Sequence, residues 1–266
     1  MCILQGMLRS PGSIAFEIGP LTIRWYGILM AGAILVGFWL AERAARREGL
    51  PAEKILNAGQ WAVVAGLVGA RLYEVIFNWD YYGHHLSKIP AVWEGGLAIH
   101  GGLIAGILVG LWVARREQLP IRPALDVVAP SVVLGQAIGR WGNFFNEEAF
   151  GTPTDLPWKL YISPANRPLQ YSSNEYFHPA FLYESLWDLL VLGCLLALRP
   201  RLTARPGAVF YLYIGLYSIG RFLIESIRLD SFWLGPFRVP QLASAAGICV
   251  AVAGFLLSRP RANAAG

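Results

Sequence analysis

Ala124-Leu125-Asp126-Val127-Val128-Ala129-Pro130-Ser131-Val132-Val133-Leu134-Gly135-Gln136-Ala137-Ile138-Gly139-Arg140-Trp141-Gly142-Asn143-Phe144-Phe145-Asn146 is an apolar run that closes on a permanent cation and two amides. About twenty predominantly apolar residues suffice to cross roughly 30 Å of hydrocarbon as a helix, so this stretch spans a membrane. Pro130 removes a backbone donor from its interior and is expected to kink it. Arg140 sits at the end of the span. A guanidinium at the bilayer centre costs roughly 2.5–3.5 kcal/mol on insertion scales, and ionisable groups within spans mark pathways or binding sites by default. What Arg140 meets decides which.

Outward from this segment the chain repeats the pattern. Its composition is 55% hydrophobic and 15% charged, with a mean hydropathy of +0.46, against about 25% charged residues in a soluble domain. Apolar runs at about 22–41, 56–77, 96–114, 124–144, 179–198, 207–226 and 241–257 predict an all-α integral membrane protein with seven transmembrane helices. The first run is too long for a signal-peptide core and lacks a convincing cleavage site, so it is retained. Residues 147–178, rich in Pro, Asn, Ser and Tyr, form a small periplasmic cap. Such a segment buries too little apolar surface to fold alone, so 1–266 is one transmembrane domain with the cap inserted in it.

Loop charges set the orientation. With the N-terminus outside, the inner segments hold Arg43, Arg46, Arg47, Lys54, Arg115, Arg116, Arg122, Arg199, Arg201, Arg205, Arg259 and Arg261. The outer ones hold only Arg9, Lys88, Lys159, Arg167, Arg228 and Arg238. The positive-inside rule therefore puts the C-terminus in the cytoplasm. The net charge of +5 reflects a basic rim meeting anionic lipid and calls for no nucleic acid. Cys194 and Cys249 lie in apolar runs and Cys2 stands alone, so neither a disulfide framework, nor a cysteine nucleophile, nor a metal site is implied.

In this topology the intramembrane polar residues gather on the outer side. Tyr26, Arg71, Glu74, His100, Arg140, Asn143, Glu184, Arg221, Glu225 and Arg228 come from six spans at the depth of the outer head groups and upper acyl chains. Arg140, Asn143 and Glu147, and likewise Arg221, Glu225 and Arg228, recur at helical spacing, so each trio shares a face. Arg71 with Glu74 and Arg221 with Glu225 are candidate internal ion pairs. Arg140 and Arg228 add positive charge to the second pair, leaving an excess that a phosphate would neutralise with bidentate geometry. Glu184 lies deeper and is expected to pair with an Arg from another span.

His100 is flanked by Gly96, Gly101 and Gly102, which argue for an accessible imidazole that takes a proton near neutral pH. Gly102, Gly106 and Gly110 also read as a helix-packing stripe. Tyr183 and Trp187 read as interfacial anchors, and Asp126 as a carboxylate at a helix N-terminus. A transporter is the main rival reading, but it predicts polar groups at several depths and an internal repeat. A structural scaffold leaves the cationic cluster unexplained, and an intramembrane protease lacks a Ser–His or paired-Asp arrangement.

Six blocks in order, Ile18-Gly19-Pro20-Leu21 with Arg24-Trp25-Tyr26-Gly27, His100-Gly101-Gly102, Gly139-Arg140 through Asn143 to Gly151, His178-Pro179, Leu182-Tyr183-Glu184, and Gly220-Arg221 with Glu225 and Arg228, give the chain a specific character. In these the sequence resembles the bacterial prolipoprotein diacylglyceryl transferase family over nearly its whole length. Before the last span, Arg238-Val239-Pro240-Gln241 keeps the family's glutamine but not the expected Met-Gly before it.

The resemblance implies a transferase of the bacterial inner membrane, active toward the periplasmic leaflet, that needs no cofactor. It would move the diacylglyceryl group of phosphatidylglycerol to the lipobox cysteine of a preprolipoprotein signal peptide, forming a thioether and releasing glycerol phosphate. It further implies that Arg140 and Arg221 clamp the phosphate and that His100 assists thiol deprotonation. Asn143 and Tyr26 would orient the glycerol, while Asn146, Glu148, Gly151, Glu225 and Arg228 complete substrate binding and hold the geometry.

Overall fold

The computed structural model describes residues 7–19 and 21–258; Cys2, Pro20, Arg259 and Arg261 lie outside them. Helices α1 (Trp25–Arg47) and α2 (Ala52–Phe77) lead into a single turn, α3 (Trp79–Tyr82). Then follow α4 (Ile99–Arg116), α5 (Ile121–Asn146), α6 (Ala180–Leu202), α7 (Ala208–Glu225) and α8 (Val239–Leu257). Among the described residues seven of these, all but α3, are long and apolar enough to cross a membrane. Large apolar side chains such as Leu35, Ile76, Leu108 and Leu256 stand exposed along them, as lipid-facing positions should.

Short strands join the helices: β1 (Leu8–Arg9), β2 (Ile14–Ile18), β3 (Leu21–Arg24), β4 (Leu160–Tyr161), β5 (Tyr176–Phe177), β6 (Trp233–Leu234) and β7 (Phe237–Arg238). The expected first span begins three residues late, because Thr22 and Ile23 belong to β3, which pairs antiparallel with β2. Two β-branched residues in sequence favour that extended backbone. At its other end α1 runs on to Arg47, where Arg46 donates to Glu42 at 2.8 Å and basic side chains suit a helix C-terminus.

The chain forms two compact units, Met1–Gly37 with Leu125–Gly266, and Phe38–Ala124. In the second, α2 and α4 pack closely through glycines. A Cβ on Gly102 would stand 3.3 Å from the Gly66 carbonyl oxygen, one on Gly106 would stand 3.1 Å from that of Ala62, and one on Gly101 would run into Gly69 and Tyr73. Small residues allow this approach where lipid supplies no hydrophobic drive. Gly101 and Gly102, read from sequence as opening His100 to access, therefore serve the helix contact.

Arg71 differs from its expected role as a partner of Glu74. Its guanidinium is buried and donates to four carbonyls of the connection after α3: Lys88 (2.5 Å), Ile89 (2.8 Å), Gly95 (2.7 Å) and Gly96 (2.8 Å). A guanidinium carries five N–H donors in a rigid fork, so one side chain ties down a loop whose Gly95 and Gly96 both take positive φ. Glu74 instead accepts from Asn78.

The first unit is built around Ala129 and Val133 of α5, Val191 and Leu195 of α6, and Val209 and Tyr213 of α7. Asp126 reaches a second helix: it accepts from the backbone N–H groups of Gly207 (2.6 Å) and Phe210 (2.8 Å), supplying the acceptor that the first turn of α7 lacks. Residues 147–178 carry β4 and β5, which form a three-stranded sheet with β1. Their Phe150, Leu160, Ile162 and Phe177 are buried against Phe181 of α6 and Phe144 of α5. The segment thus borrows its core from helix ends. At about 1.5–3 kcal/mol for each fully buried large apolar side chain, that shared core fixes the loop that carries Glu148 and Gly151.

Candidate functional site

Glu184 lies in the second turn of α6 and is 3% exposed. Three guanidiniums converge on it. Its Oε2 lies 2.8 Å from Arg140 Nη1 of α5, and its Oε1 accepts from Arg221 Nη1 of α7 at 2.8 Å and from Arg228 Nη1 at 2.9 Å. The expectation of one Arg partner from another span holds, with two more added. Carboxylates have about four lone-pair sites, which is why a single Glu serves three cations.

The cluster is braced from the chain that follows α7. Arg221 Nη2 lies 2.7 Å from Glu225 Oε2, and Ser231 Oγ donates to Glu225 Oε1 at 2.7 Å. Arg228 and Asp230 meet fork to fork, Nε to Oδ1 at 3.0 Å and Nη2 to Oδ2 at 2.6 Å. Arg238 donates to the backbone carbonyls of Glu225 and Arg228. Burial works against the charged form of Arg228, but the hydrogen bonds and charges of Asp230 and Glu184 outweigh it and raise its pKa above the ordinary value. Burial likewise opposes ionisation of Asp230, yet Arg228 wins and holds its carboxyl below the usual range.

The positive excess read from the sequence is therefore reduced. Arg140, Arg221 and Arg228 face Glu184, Glu225 and Asp230, one carboxylate for each guanidinium. The carboxylates act as a frame: they hold the guanidiniums together against mutual repulsion, each with donors to spare. Arg140 and Arg221 keep about a fifth of their side-chain surface exposed. Both line a small open cleft, walled also by Trp187, Asp188, Tyr217, Gly220 and Ile224. Trp187 is no interfacial anchor here. Its Nε1 donates to the Leu216 carbonyl at 2.8 Å, and its ring fills the notch left by Gly220.

The amides at the end of α5 turn toward one acid. Asn143 Nδ2 donates to Glu148 Oε1 at 2.9 Å and Asn146 Nδ2 to the same oxygen at 3.3 Å. Glu147, expected on the face of Arg140 and Asn143, has left it: α5 ends at Asn146, Glu147 takes a φ of 52°, and its carboxylate accepts from Ser163 and Asn166. Tyr26 packs its ring on Gly142, where any Cβ would overlap it, and lies within electrostatic reach of Glu148 and Arg140.

Gly151 is pinched. Its N–H donates to the His178 carbonyl at 2.9 Å, it bridges to Arg228, and a Cβ there would come within 2.8 Å of His178 Cβ. Burial lowers the pKa of His178, whose Nδ1 lies 3.2 Å from the Tyr183 hydroxyl.

Tyr26, Arg140, Asn143, Asn146, Glu148, Gly151, Glu225, Arg228 and Arg221 thus all belong to the first unit. His100 belongs to the second, in the first turn of α4, with its ring 6.0 Å from that of Tyr73. Sequence reasoning missed the contribution of Asp230, Ser231 and Arg238, and the place of Trp187, Asp188 and Tyr217 in the cleft wall. Only the clustering of polar residues just beyond α7 hinted at the first group. Among the described residues no group of His, Cys, Asp and Glu is arranged to hold a metal ion.

Comparison with known proteins places this chain among relatives. Residues 13–257 match the family model described as prolipoprotein diacylglyceryl transferase. The chain is similar to the phosphatidylglycerol–prolipoprotein diacylglyceryl transferases of Synechococcus elongatus (50% identical, covering 96% of this chain and 90% of the relative) and Acaryochloris marina (48%; 95% and 94%). That of Gloeobacter violaceus is 46% identical, covering 92% of each chain.

Proposed function

The chain belongs to the prolipoprotein diacylglyceryl transferase family, and from that premise we propose how its residues carry the reaction. It is a multi-pass bacterial membrane transferase that moves a diacylglyceryl group from phosphatidylglycerol to prolipoproteins. A transporter reading is not favoured. In the proposed reaction the acceptor is a lipobox cysteine thiol of the signal peptide. The sulfur attacks the glycerol carbon bearing the phosphate, the carbon–oxygen bond breaks, and its electron pair leaves with glycerol phosphate. The nucleophile belongs to the substrate, so the enzyme must bind a phosphate and favour a thiolate.

One observation carries this reading: Arg140 and Arg221 are pinned by Glu184 at the wall of a cleft while retaining N–H donors. Arg fits phosphate through paired parallel hydrogen bonds, and preorganised cations stabilise charge that develops on the leaving group. Guanidiniums also lower the pKa of a nearby thiol from its reference of about 8.5. Asn143, Asn146, Glu148 and Tyr26 are proposed to hold the glycerol, and Gly151, Glu225 and Arg228 the frame. His100 is proposed to assist thiol deprotonation. The cluster lies at the end of α5, α6 and α7 opposite Arg122, Arg199, Arg201 and Arg205, which supports an outer, periplasmic position for it under the positive-inside rule.

The test is to incubate the purified protein in phosphatidylglycerol vesicles carrying a labelled diacylglyceryl moiety with a lipobox peptide. Thioether-linked label on the peptide cysteine supports the reading. Its absence, or equal labelling of a peptide with Ser in place of that cysteine, overturns it.

A further inference from the structure

Asp188 stands one turn beyond Glu184 on α6 and takes part in none of the ion pairs described above. It is 2% exposed, lines the cleft beside Arg140 and Arg221, and its Oδ2 is buried with no hydrogen-bond partner. An ionised carboxylate buried in this way carries the full cost of lost solvation. Arg140 offsets that cost only in part, since no hydrogen bond reaches the buried Oδ2. Arg140 of α5 is committed to Glu184, Arg221 of α7 to Glu184 and Glu225, and Glu184 on its own helix repels a second negative charge. Tyr217 of α7 shares the cleft wall, and Tyr213 spends its hydroxyl proton on Gln136 at 3.0 Å. A bound phosphate would add a further negative charge. A carboxylic acid, by contrast, supplies its own donor and competes with the phosphate for neither arginine.

We propose that Asp188 keeps its proton in the cleft and donates it to the phosphate of the bound lipid as the carbon–oxygen bond breaks. The inference rests on the reading of the cleft as the phosphate site. The sulfur–carbon bond forms, the electron pair of the broken bond goes to the phosphate oxygen, and the Asp188 proton neutralises part of the charge that collects there. The thiol's own proton leaves separately to base or water, and Asp188 is reprotonated from solvent after glycerol phosphate departs. General-acid assistance of this kind contributes typically 10²–10⁴-fold. Here the lower end applies, since a phosphate monoester is already a competent leaving group.

The experiment measures the pH–rate profile of diacylglyceryl transfer for wild type and Asp188→Asn, with infrared spectroscopy of both proteins. The amide keeps the size and a hydrogen-bond donor but transfers no proton. Expected is a loss of about 10²-fold at neutral pH, removal of the alkaline limb on which wild-type activity falls, and disappearance of a carbonyl stretch belonging to a protonated carboxylic acid. An active wild type whose profile is unchanged by Asp188→Asn overturns the inference while leaving the phosphate-site reading intact; an inactive wild type overturns that reading instead. Should the Asn variant not fold, the wild-type spectrum decides, because the absence of any protonated carboxylic acid at neutral pH refutes the proposal.

Discussion

Replacing Glu184 with Gln is the perturbation that discriminates most sharply between a framed cluster and a set of independent ion pairs. Gln preserves volume and one accepting oxygen but removes the charge that Arg140, Arg221 and Arg228 share at 2.8–2.9 Å. Glu184 is 3% exposed, so solvent replaces little of what is lost. Breaking a buried pair by removing one partner costs about 3–5 kcal/mol. Arg221 and Arg228 keep Glu225 and Asp230, which holds the cost to stability near the lower figure of about 3 kcal/mol. Arg140 keeps no carboxylate contact closer than 4 Å among the described residues, so its position is lost. If about 3 kcal/mol of positioning disappears from the transition state, the rate falls by about 10²-fold, at 1.36 kcal/mol per tenfold. The assay is labelled transfer to a lipobox peptide in detergent micelles, with thermal unfolding of the same sample. A variant within about threefold of wild type in rate, a difference of under 1 kcal/mol, with an unchanged midpoint would refute the idea that one carboxylate organises three guanidiniums.

Arg140→Lys keeps charge but loses the planar fork; transfer activity falls by about tenfold or more if phosphate is gripped by paired bonds, and is nearly normal if charge alone matters. Gly142→Ala drives a methyl into the Tyr26 ring; overpacking of this kind costs about 1–3 kcal/mol, read as a rate loss of roughly tenfold with Tyr26 displaced. Asp230→Asn gives a pH-dependent stability difference. Because Arg228 depresses the folded-state pKa of Asp230, its contribution is complete above the unfolded value of about 3.9 and fades as pH falls through the lower folded value. The variant should therefore melt below wild type at pH 7 and converge with it in acid, as followed by a thermal scan at each pH.

The helices were legible because hydrocarbon thickness sets a length that no soluble pattern imitates, and every expected span is present to within a few residues. The exceptions have local causes. Leu21–Arg24 is apolar enough to merge with the first span but β-branched enough to pair with Ile14–Ile18. The residue types of the site were legible too, yet spacing along one helix says which residues share a face and nothing of what that face meets. Thus the Arg221–Glu225 pair, at i and i+4, was readable, whereas the convergence of Arg140, Arg221 and Arg228 on Glu184 spans three helices and has no sequence signature. Arg71 misled for the same reason. Its carboxylate neighbour in sequence, Glu74, loses to loop carbonyls that only the chain's path brings near. Asp126 was readable as a carboxylate near a helix N-terminus, but its bonds to the start of α7, a helix roughly eighty residues away, have no sequence signature.

The central claim is that Arg140 and Arg221 recognise the lipid by its phosphate. It is tested most directly by comparing binding of phosphatidylglycerol with that of diacylglycerol, which has the same chains and no phosphate, to wild type and to Arg221→Gln. The account predicts a strong preference of wild type for phosphatidylglycerol that Arg221→Gln largely abolishes. Equal binding of the two lipids by wild type, or an undiminished preference in the variant, would contradict it.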